Sequence, residues 1–265
     1  MIRIVSLDLD GTIVTGVGAL PSERVRKAIK AAQAKGAMVT FCTGRWIMHA
    51  RELAQILQIN APGAFQDGCQ VYDFSSARIL HEEIIDPSLV SELESLSGRT
   101  GRGQFAVRSS ERIYTRGSVP DPEYWTQWLA ETKPVELGPG KRYPTEVSQV
   151  LLVAPDASGM HEYAEKAREV AGKWVRVWES FGRVVDIDPA HGDKGKGLAW
   201  LAGHLGIARE EVLALDDSDP TPIRWAGVGV AMGTAPEAVK AEADWVAPGV
   251  NEDGAAAAIE RFVLS

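Results

Sequence analysis

The chain has 265 residues, a formal net charge of −8 at pH 7, and 45% hydrophobic against 24% charged residues. This composition is typical of an ordinary globular protein with enough material for one large domain or two modest ones. The acidic balance argues against binding to nucleic acid or to an anionic membrane surface, and no apolar run is long enough to cross a membrane. Nucleic-acid and membrane partners are therefore not expected.

The N-terminal segment and the cysteines indicate the compartment. Asp8 and Asp10 interrupt the early apolar run, so no signal-peptide core is recognised. The spacing of the two cysteines, Cys42 and Cys69, matches neither a disulfide framework nor a metal motif. We therefore expect a cytoplasmic protein in which both cysteines are small core residues beside strands.

The predicted elements alternate between strands and helices. An apolar, β-branched run at 2–7 predicts a buried strand, and a helix is expected from 22 to 36, where Gly36 ends it. Further strands are predicted at 38–42, 63–65, 212–215, 227–232 and 245–247, with a second helix ending near residue 58 and a hairpin through Asp67-Gly68. This alternation predicts an α/β fold with a doubly wound, Rossmann-like parallel sheet.

Residues 82–188 show a different pattern, with alternating segments at 112–115 and 150–153. They are predicted to form an α+β insertion, which leaves 1–81 and 189–265 as the core domain. The tryptophan pairs Trp125/Trp128 and Trp174/Trp178 have spacings that favour core packing, with stacking on a sugar or base ring as the alternative.

The insertion also carries an arginine-rich stretch in which the single acid is Glu111. Such a stretch is either a solvated face or a site for a second anionic group of a substrate. Its members are Arg99, Arg102, Arg108, Arg112 and Arg116.

The most informative motif is Asp8-Leu9-Asp10-Gly11-Thr12, directly after the first strand. Two carboxylates two residues apart emerge at the carboxyl end of a parallel strand, where open α/β sheets bind ligands. Such a pair can hold a divalent cation, and one member can attack a phosphorus centre. Aspartates that only end a strand in a turn are the alternative.

Together with later motifs, this one resembles the haloacid dehalogenase superfamily of phosphohydrolases, in particular the Cof-type subfamily with a large α/β cap. The resemblance covers nearly the whole chain and depends on the order, spacing and strand-end positions of several short motifs. Besides the first motif these are Thr43-Gly44-Arg45, Asp193-Lys194-Gly195-Lys196-Gly197, Asp216–Asp219, Val230–Ala235 and Asn251–Gly254.

The resemblance implies catalytic roles for both acids of the first motif. Asp8 corresponds to the nucleophile, which forms an aspartyl-phosphate that water then hydrolyses. Asp10 corresponds to the general acid and base, which protonates the leaving oxygen and afterwards activates the water. A turn-capping acid is the alternative for Asp10.

Phosphate-binding groups are implied in the same way. Thr43 and the backbone N–H of Gly44 would contact a phosphate oxygen, although Thr43 can equally be an ordinary helix N-cap. Lys194 corresponds to the lysine that neutralises the nucleophile and the transferring phosphoryl group, and Lys196 is its competitor. Arg45 either contacts substrate or pairs with an acid.

The implied cofactor is Mg²⁺, held by Asp8, the carbonyl of Asp10 and the acidic turn that follows the strand at 212–215. This turn departs from the family pattern of Gly-Asp followed by Asn-Asp, because Asp216 stands at the glycine position and the asparagine is missing. We expect Asp217 to be the direct ligand, with Asp216 or Asp219 behind it. The departure also raises the prospect of weakened activity.

The expected function is that of a Mg²⁺-dependent phosphomonoesterase acting on a small phosphorylated metabolite, such as a sugar phosphate, with the insertion selecting the substrate. A phosphomutase or phosphotransferase that shields the aspartyl-phosphate from water is one alternative. A catalytically weakened protein that binds phosphorylated ligands is the other. The sequence does not determine the oligomeric state.

Overall fold

The computed structural model describes residues 1–100, 104–116, 134–138, 140–154, 156–180 and 182–265, apart from the side chains of 97–100. The chain forms two compact units, one of Met1–His81 with Asp193–Ser265 and one of Glu82–Gly192. In the described parts of the chain, no helix has the length and apolar character needed to cross a membrane.

The described strands are β1 (Ile4–Leu7), β2 (Met38–Phe41), β3 (Gly63–Phe65), β4 (Gln70–Asp73), β5 (Arg78–Glu82), β6 (Gln104–Ser109), β7 (Arg112–Thr115), β8 (Val135–Glu136), β9 (Gln149–Val153), β10 (Val175–Ser180), β11 (Val184–Pro189), β12 (Val212–Asp216), β13 (Val228–Met232) and β14 (Trp245–Ala247). The described α-helices are α1 (Glu23–Ala34), α2 (Ile47–Ile56), α3 (Pro87–Thr100), α4 (Ala157–Ala171), α5 (Lys194–His204), α6 (Pro220–Trp225), α7 (Glu237–Lys240) and α8 (Gly254–Ile259). Short 3₁₀ turns lie at Gly172–Trp174, Arg209–Glu211 and Val250–Glu252, and a π-helical segment at Glu260–Leu264.

A five-stranded parallel sheet forms the centre of the first unit, in the order β14-β13-β12-β1-β2. Strand β1 lies between β12 and β2, with Leu7 opposite Leu215 on one side and Phe41 on the other. Every residue of β1 and β12 is buried, as is typical of parallel strands covered on both faces. The predicted α/β fold with a parallel core sheet is confirmed.

Helices cover both faces of this sheet. Helix α1 begins where Ser22 Oγ accepts a hydrogen bond from the Val25 N–H at 3.1 Å, and Gly36, with a φ of +91°, follows its end. Its buried residues repeat at helical spacing and pack on the face that carries Leu7. Helix α5 packs on the opposite face, which carries Ile4. This is the doubly wound arrangement.

The third predicted strand forms, but it does not belong to the parallel core sheet. Strand β3 pairs with β4 in a separate three-stranded sheet, β3-β4-β5, and meets the core sheet in an isolated parallel bridge between Cys42 and Ala64. The hairpin through Asp67-Gly68 is confirmed, with Phe65 opposite Gln70. The chain turns back directly after a three-residue strand, which leaves little length for pairing with β2.

The second unit is built on a six-stranded sheet in the order β10-β11-β9-β6-β7-β8, antiparallel except between β7 and β8. Its apolar cluster joins one face of this sheet to α3 and α4, through Leu93 and Ala164 among others. The predicted α+β character of the insertion is confirmed.

The tryptophans of the insertion were expected in two core-packed pairs. Trp174 and Trp178 are 58% and 49% exposed, so core packing is wrong for this pair. They lie in a 3₁₀ turn and in β10, at the edge of the sheet, and so do not share one helix face. Trp125 and Trp128 lie outside the described residues.

The arginine-rich stretch does not form one uniform face. Arg108 is 1% exposed, Arg112 is exposed on β7, and Arg116 pairs with Glu94 at 2.9 Å. Arg102 and the side chain of Arg99 lie outside the described part of the chain. The solvated-face alternative therefore does not hold for Arg108.

Candidate active site

Three neighbouring strands of the core sheet end in polar residues. Asp8 follows β1, Thr43 follows β2 within two residues, and Asp216 is the last residue of β12. The Asp8 N–H donates to the Leu215 carbonyl at 3.0 Å, which continues the β1–β12 pairing up to the acid. Carboxyl ends of parallel strands meet at one edge, so these residues are brought together there.

Lys194 connects two of these strand ends. Its Nζ donates to Asp8 Oδ1 and to Asp216 Oδ2, both at 2.8 Å, and the three side chains are at most 5% exposed. Burial, partly offset by the Lys194 charge, raises the pKa of Asp8 to about 7. Burial also opposes the charge of the lysine amine, but the carboxylates of Asp8 and Asp216 outweigh it and raise the pKa of Lys194 well above its usual value. The result is a desolvated group of two acids around one ammonium.

Helix α5 places this lysine. Lys194 is the first residue of this helix. The Asp193 side chain caps the helix by accepting the Lys196 N–H at 2.7 Å, which outweighs the poor helix propensity of the two glycines that follow. Lys196 itself is 62% exposed and pairs with Asp193 at 3.2 Å. Of the two competing lysines, the structure brings Lys194 to the strand ends.

The acidic turn after β12 is organised by Asp216. Its Oδ1 accepts the backbone N–H groups of Ser218 at 2.9 Å and Asp219 at 2.8 Å, while its Oδ2 faces Lys194. Asp219 in turn caps the short helix α6 by accepting the Thr221 N–H at 2.8 Å. This turn is therefore closed by its own aspartates and does not require the missing asparagine.

Asp217 is the third acid of this turn. Its carboxylate lies against Gly11, where any side chain would collide with it. Burial, with the charge of Asp216 second, raises the pKa of Asp217. Carboxylate oxygens of Asp8, Asp216 and Asp217 all lie within 4.8 Å of one another. An all-oxygen set of this spacing fits a hard divalent cation. Within the turn, Asp216 already accepts hydrogen bonds through both of its oxygens, which leaves Asp217 as the better candidate for a direct ligand.

Asp10 has a different environment from Asp8. Its two carboxylate oxygens accept hydrogen bonds from Arg45, from Nε at 2.7 Å and from Nη2 at 2.6 Å. The Arg45 side chain is 9% exposed and the Asp10 side chain 46%, so this bidentate pair lies at the rim of the site. Among the described contacts, Arg45 thus pairs with an acid, and the Asp10 carboxylate is not part of the cluster of Asp8, Asp216 and Asp217.

Thr43 belongs to a loop and not to a helix cap. Helix α2 begins only at Ile47, and Trp46 occupies its cap position. The Thr43 hydroxyl accepts the Arg45 N–H at 3.2 Å and is 1% exposed. The N-cap alternative is therefore wrong.

Three groups outside the predicted site residues also contribute to the site. Thr12 Oγ1 donates to Asp8 Oδ2 at 3.4 Å, and Thr221 Oγ1 accepts the Gly195 N–H at 3.1 Å. The third is the turn at 66–68, which contacts both the Thr43 loop and the start of α5. Its Asp-Gly pair was recognised as a turn signal, but nothing local in the sequence shows what the turn packs against.

A family model described as haloacid dehalogenase-like hydrolase matches residues 5–259. The chain is 28% identical over 265 residues to a 5-amino-6-(5-phospho-D-ribitylamino)uracil phosphatase of Bacillus subtilis, covering 99% of this chain and 96% of that protein. It is 26% identical over 274 residues to a pyridoxal phosphate phosphatase of Escherichia coli, covering 99% and 98%. A solved haloacid dehalogenase-like hydrolase from Bacteroides thetaiotaomicron superposes with a TM-score of 0.83 at 27% identity, covering 98% and 99%. The resemblance expected from the motifs is confirmed.

Proposed function

Because the chain belongs to the haloacid dehalogenase-like hydrolase family and is a phosphatase, we propose that Asp8 is the nucleophile in the hydrolysis of a small phosphate monoester. The observation that carries this proposal is the buried Lys194 ammonium, 2.8 Å from Asp8 Oδ1. A phosphate dianion and a carboxylate repel one another. A desolvated cation beside the attacking carboxylate offsets that repulsion where it is strongest.

In the first step, an Asp8 oxygen attacks phosphorus and the bond from phosphorus to the leaving oxygen breaks. Asp10 gives its proton to that oxygen, so an alcohol leaves and Asp8 carries the phosphoryl group as an acyl phosphate. In the second step, Asp10 takes a proton from a water molecule that attacks the same phosphorus. The bond from phosphorus to the Asp8 oxygen breaks, inorganic phosphate leaves, Asp8 is again a carboxylate and Asp10 is again protonated.

Arg45 sets a condition on both steps. Its two hydrogen bonds occupy both oxygens of Asp10. Since a proton on either oxygen would face an N–H group, Asp10 must release at least one of these bonds before it can act as an acid. We propose that Arg45 orients Asp10 between turnovers.

Phosphate binding is proposed for Thr43, the Gly44 N–H and Lys194. Gly44 lies between Thr43 and Arg45 in the loop that follows β2, and the Lys194 amine faces Asp8 from the start of α5. A phosphoryl group on Asp8 would share this amine, because it already donates to Asp8.

Mg²⁺ is the proposed metal, held by Asp8, Asp217 and the Asp10 carbonyl, with Asp216 supporting the turn. When bound, the ion supplies positive charge that stabilises the transferring phosphoryl group. This all-oxygen donor set suits Mg²⁺ better than a softer metal.

The substrate is proposed only as a class. The names of two relatives specify a phosphorylated ribitylamino-uracil and pyridoxal phosphate. For this chain we propose a phosphate monoester of a small polar metabolite, such as a sugar phosphate, with residues 82–188 selecting among such compounds. Neither cysteine is in a disulfide and both are buried, which supports the proposed cytoplasmic location.

The test is phosphate release from a broad panel of phosphorylated metabolites with Mg²⁺, with an Asp8→Asn variant as the matched control. Turnover is expected to require the metal and to disappear in the variant, which keeps the size of the side chain but not its nucleophile. Turnover that survives in Asp8→Asn would reject Asp8 as nucleophile. Transfer of labelled phosphate to a second alcohol would instead indicate a phosphotransferase, and metal binding without turnover a weakened binding protein.

A further inference from the structure

The turn that follows β3 has an unusual backbone. Gln66, Asp67 and Gly68 are three consecutive residues with positive φ, at 51°, 50° and 83°. Glycine adopts this region freely, but Gln66 and Asp67 do so against the preference of L-residues. Such strained residues persist where the surrounding structure determines them, often beside functional sites.

On one side the turn is hydrogen-bonded to the proposed phosphate loop. The Gln66 N–H donates to the Arg45 carbonyl and the Asp67 N–H donates to the Thr43 carbonyl, each at 3.1 Å. These two bonds flank Gly44, and a Cβ on Gly44 would lie 2.9 Å from the Asp67 carboxylate. The left-handed conformation is what directs both N–H groups to the same loop.

On the other side the turn touches the start of α5. A Cβ on Gly68 would lie 2.6 Å from the Asp193 carbonyl carbon and 3.1 Å from the backbone nitrogen of Lys194. A Cβ on Gly197 would lie 2.6 Å from the Gly68 Cα. Backbone therefore meets backbone here, and neither glycine leaves room for a methyl group.

We propose that Gly68 and Gly197 are positioning residues, which fix the distance between the Thr43 loop and the Lys194 ammonium through the turn at 66–68. This inference rests on the proposed function, since it assigns the contact a role in phosphoryl transfer. Thr43 and Lys194 are far apart in the sequence and lie on different elements. The turn at 66–68 contacts the Thr43 loop on one side and the Lys194 backbone on the other. An added methyl group in this contact therefore shifts the Thr43 loop relative to Lys194.

The first test compares two alanine variants on one helix. Gly197→Ala and Gly203→Ala both replace a glycine of α5, but a Cβ on Gly203 meets no atom within 4 Å. Gly203→Ala is expected to keep wild-type kinetics. Gly197→Ala is expected to lower kcat by about 10- to 100-fold, because a displacement near 1 Å has effects of that size on catalysis. The affinity for the transition-state mimic orthovanadate is expected to fall by the same factor, while KM changes much less.

The second test approaches the contact from the turn. Gly68→Ala and Gly36→Ala carry the same left-handed strain, since φ is +83° and +91°, but a Cβ on Gly36 meets no atom within 4 Å. Both are expected to lower the unfolding midpoint, and only Gly68→Ala is expected to lower kcat. Assays well below both midpoints separate catalysis from folding. If Gly68→Ala does not fold, Gly197→Ala decides alone.

The outcomes separate this inference from the proposed function. If Gly197→Ala keeps wild-type kcat and orthovanadate affinity, the positioning role is overturned while the phosphatase mechanism stands. If kcat and KM instead deteriorate in both alanine variants of α5, the helix is generally sensitive and the inference is also overturned. Turnover that survives in Asp8→Asn would reject the proposed function itself, on grounds independent of the glycines.

Discussion

Replacing Lys194 by Met removes an ammonium that donates to two buried carboxylates. Removing one partner of a buried ion pair typically lowers the free energy of unfolding by about 3–5 kcal/mol, because an uncompensated charge stays in a desolvated place. For a protein of this size, each kcal/mol lowers the unfolding midpoint by roughly 2–4 °C, so a decrease of roughly 6–20 °C is expected at pH 8 without metal.

The loss is expected to depend on pH. Asp8 has a pKa of about 7, raised from 3.8 by burial. When folding raises the pKa of a carboxyl group, the free energy of unfolding decreases as the pH rises from the pKa in the unfolded chain to the pKa in the folded protein. Without the Lys194 charge the folded pKa of Asp8 rises further, so the variant keeps losing stability, relative to wild type, up to a higher pH. The deficit is therefore expected to be larger at pH 8 than at pH 5.5. The raised pKa of Lys194 stabilises the fold by a constant amount below pH 10.5, so it does not change the pH dependence of the free energy of unfolding between pH 5.5 and 8.

The assay is thermal and urea unfolding followed by circular dichroism, at both pH values and with EDTA. Lys196→Met is the matched control, because Lys196 is 62% exposed and its pair with Asp193 is solvated. The control is expected to change the free energy of unfolding by less than about 0.5 kcal/mol. Equal losses in the two variants, or a Lys194→Met deficit that is the same at both pH values, would refute this account of the buried triad.

Three further predictions concern the reaction and the metal. Arg45→Gln is expected to lower kcat/KM by about tenfold on an alkyl phosphate and far less on p-nitrophenyl phosphate, whose leaving group needs no proton; equal losses would contradict a role through Asp10. In calorimetric titrations, Asp217→Asn is expected to weaken Mg²⁺ binding by about tenfold or more. Asp219→Asn, which changes the cap of α6, is expected to weaken it by less than about threefold; a larger effect of Asp219→Asn would make Asp219 the direct ligand instead of Asp217. Mg²⁺ affinity is expected to fall by up to about tenfold per pH unit below pH 7, because a proton on Asp8 competes with the ion; a flat profile would exclude Asp8 as a ligand.

Much of the site could be predicted because its signals are local. A β-branched run that ends in Asp-Leu-Asp-Gly both predicts a buried strand and places the acids at its carboxyl end. The competition between Lys194 and Lys196 could not be decided in the same way. Both residues lie in the first turn of α5, and their burial depends on which side of that turn faces β1 and β12.

Other features depend on contacts between distant segments. Gly195 and Gly197 suggest a loop by propensity, but the Asp193 cap and the packing on Gly68 stabilise a helix there. Trp178 is exposed because β10 lies at the edge of its sheet, and strand order is a tertiary property. The sequence does not decide whether Arg45 contacts substrate or an acid, because its bidentate pair with Asp10 depends on how two strand ends are placed in the fold.

The self-contained turn of Asp216 has a consequence for the maturation of the protein. Its backbone hydrogen bonds and the Lys194 ammonium hold the acids in place with the protein's own groups. The chain is therefore expected to fold without the proposed Mg²⁺, which would bind to a site that is already formed.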